Sequence, residues 1–495
     1  KMNKKDLGAV YTPQKTVEFM ISLLEPIKKD SKILEPCGGD GIFVKELIKR
    51  CIDPKNITVF DIDPEVREPL TKLGVNFELR DTLKISPLEF HNFFYYAIGN
   101  PPYLSKDSKY IKENKILLRK IYKEIGVHDT YTLFIYQTLR LLKEHGLLCF
   151  IVSNTFLTLR VHNKLREYLL KNTKIKKIII TPKDLFKEVN VNTCIILLEK
   201  SHNIIENKNN VIEIVPYMTD ESEYFNFKKI NYIKQENFFN SPEFVFYTEV
   251  LSEILELFEL PKITKELKGA VGLYTKNNKK YLGYVEGSPI VLKKRDLPII
   301  KKEEIDGKKW RYIYKLGGYK PFYYPLSVCI KWDEDSRKTY SIPKINYFEE
   351  EGMIFSGISS RLSIRYKEKG VPWNTNKAIG YVLKKNSRFD LYYLIGLFNS
   401  NLYNYLAKGV LNTTSSLQVR DINNLPLKPY CEIDRDKMKN ISEITKKIIN
   451  NLKKDLTYNF TEYLKEINNL VYEIYGISEE TKKIIKFWHK QKYRS

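Results

Sequence analysis

Acidic residues are scarce in this chain relative to basic ones: 60 Asp and Glu stand against 83 Lys and Arg, a formal net charge of +23. That deficit argues against a cationic partner and for a polyanionic one, most simply nucleic acid. A Lys-rich surface also arises from the composition bias of an AT-rich genome. Cysteine is sparse and unpaired. Cys37, Cys51, Cys149, Cys194, Cys329 and Cys431 form no CxxC pair, which excludes a disulfide framework and reads as buried free thiols in a reducing compartment. The six histidines cluster neither with one another nor with these cysteines, so no metal site is expected. No apolar run approaches the ~20 residues of a membrane helix, and the opening KMNKKDLGAV has no apolar leader core. The expectation is a cytoplasmic protein without membrane contact. Internal repeats and low-complexity linkers are absent as well.

The 495 residues suffice for two or three domains. Up to residue 200, strand-like runs at 32–36, 57–62, 75–81, 93–99, 147–153, 175–181 and 192–200 alternate with helix-like runs at 41–51, 64–74 and 128–146. Gly74 and Gly146 close the last two of these helices. This rhythm predicts an α/β fold around a parallel, seven-stranded sheet. After residue 245 the texture changes to a mixture of aromatic residues, Lys and Gly, as in 308–332. Residues 1–245 are therefore read as an α/β domain, 246–430 as an irregular mixed α+β domain, and 431–495 as a helical segment. In that segment Ile441, Ile444, Ile448 and Leu452 form one apolar stripe, and Leu464, Ile467, Val471 and Ile474 another, stopped by Gly476.

The stretch ILEPCGGDGIF (33–43) sets Glu35, Gly39 and Gly41 between a strand and a helix. Glycine lets the backbone turn tightly and approach a ligand, and the helix start offers unpaired N–H groups. The third glycine of a dinucleotide-binding GxGxxG is missing, and an acid ends the strand instead. An acid suits a positively charged ligand rather than a phosphate. S-adenosylmethionine, with a sulfonium and an α-amino group, is such a ligand. Asp61 ends the next strand, where a carboxylate can accept both ribose hydroxyls. Asp81 ends the third and is placed to take an adenine amino group. Each acid alone reads equally as a solvated strand end. Three at successive strand ends line the crevice where such sheets bind ligands.

The fourth strand runs into Asn100-Pro101-Pro102-Tyr103. Two prolines hold the backbone stiff and cannot donate to a sheet. The Asn100 side-chain oxygen and the Pro101 carbonyl can point one way, two acceptors for the two hydrogens of an exocyclic NH₂. Such an amine is a poor nucleophile because its lone pair is delocalised into the ring. Two acceptors at tetrahedral angles favour sp³ nitrogen and free that lone pair for in-line attack on a methyl sulfonium. The remainder is proximity, with Tyr103 offering a flat face for stacking.

In this order the motifs resemble the gamma-class amino-methyltransferases of DNA, the TaqI-like N6-adenine group. The resemblance implies a Rossmann-like, S-adenosylmethionine-dependent methyltransferase domain. It extends to a lead-in segment GAVYTP (8–13), whose Val10, Tyr11 and Thr12 would close over the cofactor. DTYTLF (129–134) is similar to the family's D-x-Y-x-x-F stretch, which implies Phe134 against the cofactor adenine. DLFKEVNVNTCIILL (184–198) resembles the segment whose aromatic stacks on the flipped base, here Phe186 beside Tyr103. For both phenylalanines, plain core is the other reading. The implied cofactor wall comprises Val10, Tyr11, Thr12, Glu35, Pro36, Cys37, Gly39, Gly41, Asp61, Ile62, Asp81, Thr82, Asn100 and Phe134. Stretches at 309–324, 355–366, 393–406, 417–427 and 467–478 are similar to recognition domains of type II and BREX-type (phage-defence) methyltransferases, implying that residues 246–495 read DNA.

The expected partner is double-stranded DNA, in a restriction-modification or phage-defence setting. Many relatives carry a fused N-terminal nuclease. No PD-x(n)-ExK signature stands out here, and only seven residues precede the lead-in segment, so any restriction endonuclease is expected on a separate protein. Three alternatives stay open: N4-cytosine methylation of DNA, N-methylation of RNA or a protein glutamine, and an inactive DNA-binding specificity subunit.

Overall fold

The computed structural model describes residues 10–90, 92–186, 191–289, 297–315, 320–343, 347–374, 378–414 and 416–492. Gly8 and Ala9 of the lead-in segment, residues 187–190 after Phe186 and residues 316–319 of the aromatic run lie outside the described residues. The chain divides into two compact units, Lys1–Glu256 and Leu257–Ser495.

The first unit opens with helix α1 (Gln14–Ser22), followed by β1 (Ile33–Glu35), α2 (Ile42–Lys49), β2 (Ile57–Asp61), β3 (Asn76–Leu79) and β4 (Phe94–Gly99). Then come α3 (Lys109–Ile121), α4 (Thr130–Leu141), β5 (Leu142–Ser153), α5 (Asn163–Asn172), β6 (Thr173–Ile180) and β7 (Thr193–Lys200). These seven strands lie in one sheet in the order β3-β2-β1-β4-β5-β7-β6. Pairing is parallel from β3 through β5, and β7 inserts antiparallel to both β5 and β6. This is the strand order and polarity of a Rossmann-like methyltransferase sheet. Two further strands, β8 (Val211–Val215) and β9 (Asn231–Lys234), extend it beyond β6. Apart from Glu35 and Asp61 at their carboxyl ends, the central strands β1 and β2 are built from apolar and β-branched residues buried on both faces, as strands covered on both sides must be. Val17, Met20, Val44, Leu47, Val59, Ile98 and Ile151 fill one side.

Three local expectations need correction. The helix expected at 128–146 ends at Leu141, and β5 starts at Leu142. Gly146 is not a helix stop: it sits where the β4–β5 register jumps from Phe94↔Leu142 to Tyr96↔Leu147. A Cβ there would lie 2.9 Å from the Lys143 carbonyl and 3.0 Å from that of Tyr95, so the bulge requires glycine. The helix expected at 64–74 shrinks to a 3₁₀ turn, Pro64–Val66, and one short helix, Arg67–Thr71. Of the cysteines, Cys149, Cys194 and Cys329 are buried, but Cys51 and Cys431 are exposed. In the aromatic run at 308–332, Trp310, Tyr314 and Phe322 are buried, and Tyr312, Tyr323, Tyr324 and Trp332 are half-buried.

The second unit holds two four-stranded sheets. One consists of β10 (Leu267–Val271), β15 (Gly352–Ser356), β16 (Ile364–Lys367) and β17 (Ala378–Leu383). The other consists of β11 (Leu282–Val285), β12 (Ile299–Ile300), β13 (Trp310–Tyr312) and β14 (Val328–Lys331). Helices α6 (Leu391–Asn399), α7 (Arg435–Lys454), α8 (Thr461–Tyr475) and α9 (Glu479–Lys492) accompany them. Ile441, Ile448 and Leu452 of α7 are buried, as are Ile467, Val471 and Ile474 of α8. Gly476 ends α8 in the left-handed conformation. Among the described residues no helix is long and apolar enough to cross a membrane, and no His, Cys, Asp and Glu cluster could hold a metal ion.

Arg166 on α5 is fully buried in the first unit. Its guanidinium donates to the carbonyls of Phe156 (2.6 Å), Leu159 (2.8 Å), Glu243 (2.9 Å) and Phe244 (3.0 Å). Glu243 and Phe244 both adopt positive φ, so the one cation holds a strained turn against α5. Burial lowers its pKa to about 10, and it stays charged at neutral pH. Arg166→Met leaves four carbonyls without that donor. It is expected to destabilise the unit by about 3 kcal/mol, read as a lower urea midpoint.

Candidate active site

Sheet order decides where the site lies. Strand β1 pairs with β2 on one side and β4 on the other, so the chain reverses its direction of winding between β1 and β4. In such sheets ligands sit outside the carboxyl ends of the strands at that reversal. The glycine loop leaves β1 and the Asn100 turn leaves β4, side by side. A cavity of about 370 Å³ opens there.

The glycine loop turns because its glycines allow it. Gly39 and Gly41 have φ of 51° and 72°, and Gly41 is the residue before the first turn of α2. Gly38 packs so closely on β2 that a Cβ would stand 2.4 Å from Val59 Cγ1. Asp61 at the end of β2 accepts from Gly39 N–H at 2.9 Å and from Asp63 N–H at 2.8 Å. Each carboxylate oxygen thereby keeps a lone pair for a further donor. Burial raises the Asp61 pKa.

Glu35 is the anomaly. It is 1% exposed, it lines the cavity, and its Oε2 has no hydrogen-bond partner among the described residues. Burial, followed by repulsion from Asp40 and Asp61, raises its pKa well above the usual glutamate value. A buried carboxylate without a donor is costly. The arrangement fits a ligand that brings a positive charge, as the α-amino group or sulfonium of S-adenosylmethionine would.

Asn100 is the opposite case. Its Nδ2 donates to the Val10 carbonyl at 3.0 Å and to Thr12 Oγ1 at 3.1 Å. Its Oδ1 accepts from the Tyr103 hydroxyl at 2.8 Å, and the same hydroxyl reaches the Ile151 carbonyl at 3.2 Å. Burial pushes the Tyr103 pKa up, so that hydroxyl keeps its proton. The Pro101 carbonyl accepts no hydrogen bond among the described residues. Thr130, at the start of α4, clamps the turn: its Oγ1 donates to the Pro102 carbonyl at 2.5 Å and accepts from Leu104 N–H at 3.0 Å. Cys37 Sγ donates to the Asn100 carbonyl at 3.5 Å, linking the two loops.

Of the fourteen residues expected at a cofactor wall, thirteen line this cavity: Val10, Tyr11, Thr12, Glu35, Pro36, Cys37, Gly39, Asp61, Ile62, Asp81, Thr82, Asn100 and Phe134. Gly41 shapes the loop from behind. Asp81 is more occupied than expected. Its carboxylate accepts from the Tyr110 hydroxyl at 2.9 and 3.1 Å and pairs with Lys84 at 3.0 Å. Pro102 lines the cavity, whereas Pro101 and Tyr103 do not. Phe186 is 6% exposed and belongs to the core. It borders a second cavity of about 460 Å³ that shares Val10 and Tyr11 with the first. Gly38, Arg80, Lys109, Tyr110 and Glu113 also line the first cavity and were not foreseen. Three of them lie on α3, whose start is signalled by Ser108, which accepts from Ile111 N–H as its cap, and whose buried residues are Ile111 and Leu118.

Residues 55–186 match the family model described as Eco57I restriction-modification methylase. The chain is 29% identical over 183 residues to the type II methyltransferase M.HincII of Haemophilus influenzae, covering 36% of this chain and 34% of that protein. It is 33% identical over 175 residues to the type II methyltransferase M.TthHB8I of Thermus thermophilus, covering 34% and 39%. The chain thus spans about a third of the length of these curated relatives. Among solved structures, the type IIG restriction endonuclease BpuSI aligns with 95% of this chain and 66% of its own, at 16% identity and a TM-score of 0.43.

The raised Glu35 pKa has a definite sign. Its folded-state value lies above the unfolded one, so its contribution to stability is fully present at pH below the unfolded value and is lost as pH rises through the folded value. Glu35→Gln removes that loss. The ligand-free variant is expected to melt a few degrees higher than wild type, by ~2–4 °C per kcal/mol recovered. The gain should grow with pH and vanish in acid. Calorimetry across pH checks this.

Proposed function

We propose that this chain transfers a methyl group from S-adenosylmethionine to the exocyclic amino group of a DNA base, N6 of adenine, flipped out of the duplex. The observation that carries the reading is the meeting, at one sheet reversal, of Glu35, buried with its Oε2 lacking a hydrogen-bond partner, and Asn100, half-buried and held in one orientation. Bound S-adenosylmethionine supplies an electrophilic methyl on a positively charged sulfur. Glu35 meets its positive charge, Asp61 receives the ribose hydroxyls, and Phe134 packs against its adenine.

The protein's own part in the chemistry is to accept hydrogen bonds and to exclude water. Asn100 Oδ1 and the Pro101 carbonyl take the two hydrogens of the target amine, which localises its lone pair. The prolines and the Thr130 clamp keep that geometry in place before the target arrives. For Oδ1 to receive the amine, the Tyr103 hydroxyl turns to the Ile151 carbonyl, already within 3.2 Å. A paired adenine hides its amino group, so the base must leave the stack at a cost of a few kcal/mol. Stacking on Tyr103 and on Phe186 offsets part of that cost. Phe186 would have to emerge from its present packing to do so. The net charge of +23 supports a phosphate backbone as partner and a steep fall of affinity with salt. Residues 246–430, completed by 431–495, would read the sequence.

The test is nucleoside analysis of DNA from a host without its own methylation. Expression of the wild type is expected to produce N6-methyladenine. Asn100→Ala is expected to produce none, while titration calorimetry still detects S-adenosylmethionine binding. N4-methylcytosine instead would reassign the base. No modified nucleoside, with cofactor bound, would reject DNA as the substrate. On a duplex with 2-aminopurine at the target position, fluorescence should rise on binding, and rise less with Phe186→Ala.

A further inference from the structure

We infer that the lead-in segment, through Thr12 and the Val10 carbonyl, is a positioning device for Asn100 and makes position 100 specific for an amide. The inference rests on the proposed role of Asn100 as acceptor of the target amine. A side-chain amide has two nearly isosteric orientations, related by a half-turn about χ2, a broad and roughly two-fold torsion. One presents oxygen to the target amine. The other presents NH₂, donor against donor, and cannot work.

The lead-in segment chooses between them. The Val10 carbonyl can only accept, so the atom 3.0 Å away must be the nitrogen. Thr12 Oγ1, on a residue 5% exposed, accepts the second amide hydrogen. Both hydrogens are thereby spent on one segment, and Oδ1 faces the Tyr103 side. Donation of both hydrogens also polarises the amide and strengthens its oxygen as an acceptor. A carboxylate at position 100 would instead set an anionic oxygen against the Val10 carbonyl oxygen. The segment that selects the rotamer is the one that borders both cavities, through Val10 and Tyr11. Its seating therefore connects the occupancy of the cofactor cavity to the orientation of the acceptor.

Two substitutions separate this from a wall function. Thr12→Val keeps the shape and removes the acceptor; Thr12→Ser keeps the acceptor. Thr12→Val is expected to lower kcat for methyl transfer about tenfold, the worth of one hydrogen bond. The Kd for S-adenosylmethionine and the KM for DNA should stay within about threefold, and Thr12→Ser should recover most of kcat. A parallel rise in the cofactor Kd, or an unchanged kcat, would overturn the inference. A second readout needs neither DNA nor activity. In the ligand-free protein, hydrogen exchange of a peptide spanning residues 10–22 should speed up in Asn100→Ala and at least as much in Asn100→Asp. Exchange unchanged in both variants would overturn the inference even if the wild type proves to methylate something other than DNA. A wild type that binds cofactor without modifying DNA, but shows faster exchange in both variants, would reject the proposed substrate and uphold the positioning role.

Discussion

The adjacency of β1 and β4 is the constraint from which the rest of the site follows. Neither strand carries the cavity alone. The end of β1 brings Glu35, the loop after it brings the glycines, and the turn after β4 brings Asn100 and the prolines. They meet because parallel pairing of Ile33 with Tyr96 and Leu34 with Ala97 puts both carboxyl ends at one height. A one-residue slip would exchange the faces of β4 and turn Asn100 away from Glu35. The burial of both strands on both faces pins that register.

Much of this was legible in the residues themselves. Strands with β-branched and aromatic runs, bounded by Gly, Pro and Asp, show their period and their ends, and their order along the chain implied a crevice lined by successive loops. What was not legible has physical causes. Helix α3 carries exposed apolar residues, Ile116 and Leu117, beside the buried Ile111 and Leu118, so apolar identity does not mark its inward face, yet it delivers Lys109, Tyr110 and Glu113 to the cavity. Gly146 looks like a helix stop because a glycine after a helical run usually is one. Its actual role depends on the carbonyls of Lys143 and Tyr95, the second of them far away in sequence. Composition could not sort the aromatic residues of the second unit into core and surface. Trp310, Tyr314 and Trp373 are buried there.

Basic residues of the second unit likewise divide into structural and available charge. Lys367 is fully buried, and its ammonium donates to the carbonyls of Phe348, Glu350 and Glu368. Burial lowers its pKa to about 8. Lys408, also fully buried, is lowered to about 8 for the same reason. Such lysines count toward the net charge but cannot neutralise a phosphate at the surface. The charge that acts on a polyanion is therefore smaller than composition implies, and its placement matters more than its sum.

Glu35, buried, and Asn100, half-buried, show two opposite treatments of a polar group in one cavity. Asn100 has three partners and a single orientation, which is what an acceptor needs when the geometry of attack is the source of rate. Glu35 has an oxygen with no partner, and its cost is borne by the fold. A stable resting protein would have satisfied it. Leaving it unsatisfied keeps an acceptor in the cavity that a ligand's donor can meet, and a positively charged donor meets it best. Fixing Asn100 with neutral donors and acceptors avoids a competing charge beside that ligand. If the carboxylate were paired internally, the fold would gain stability and the proposed cofactor would lose that contact. If the amide were left free, both of its orientations would be open, and the proposed acceptor would be lost in one of them.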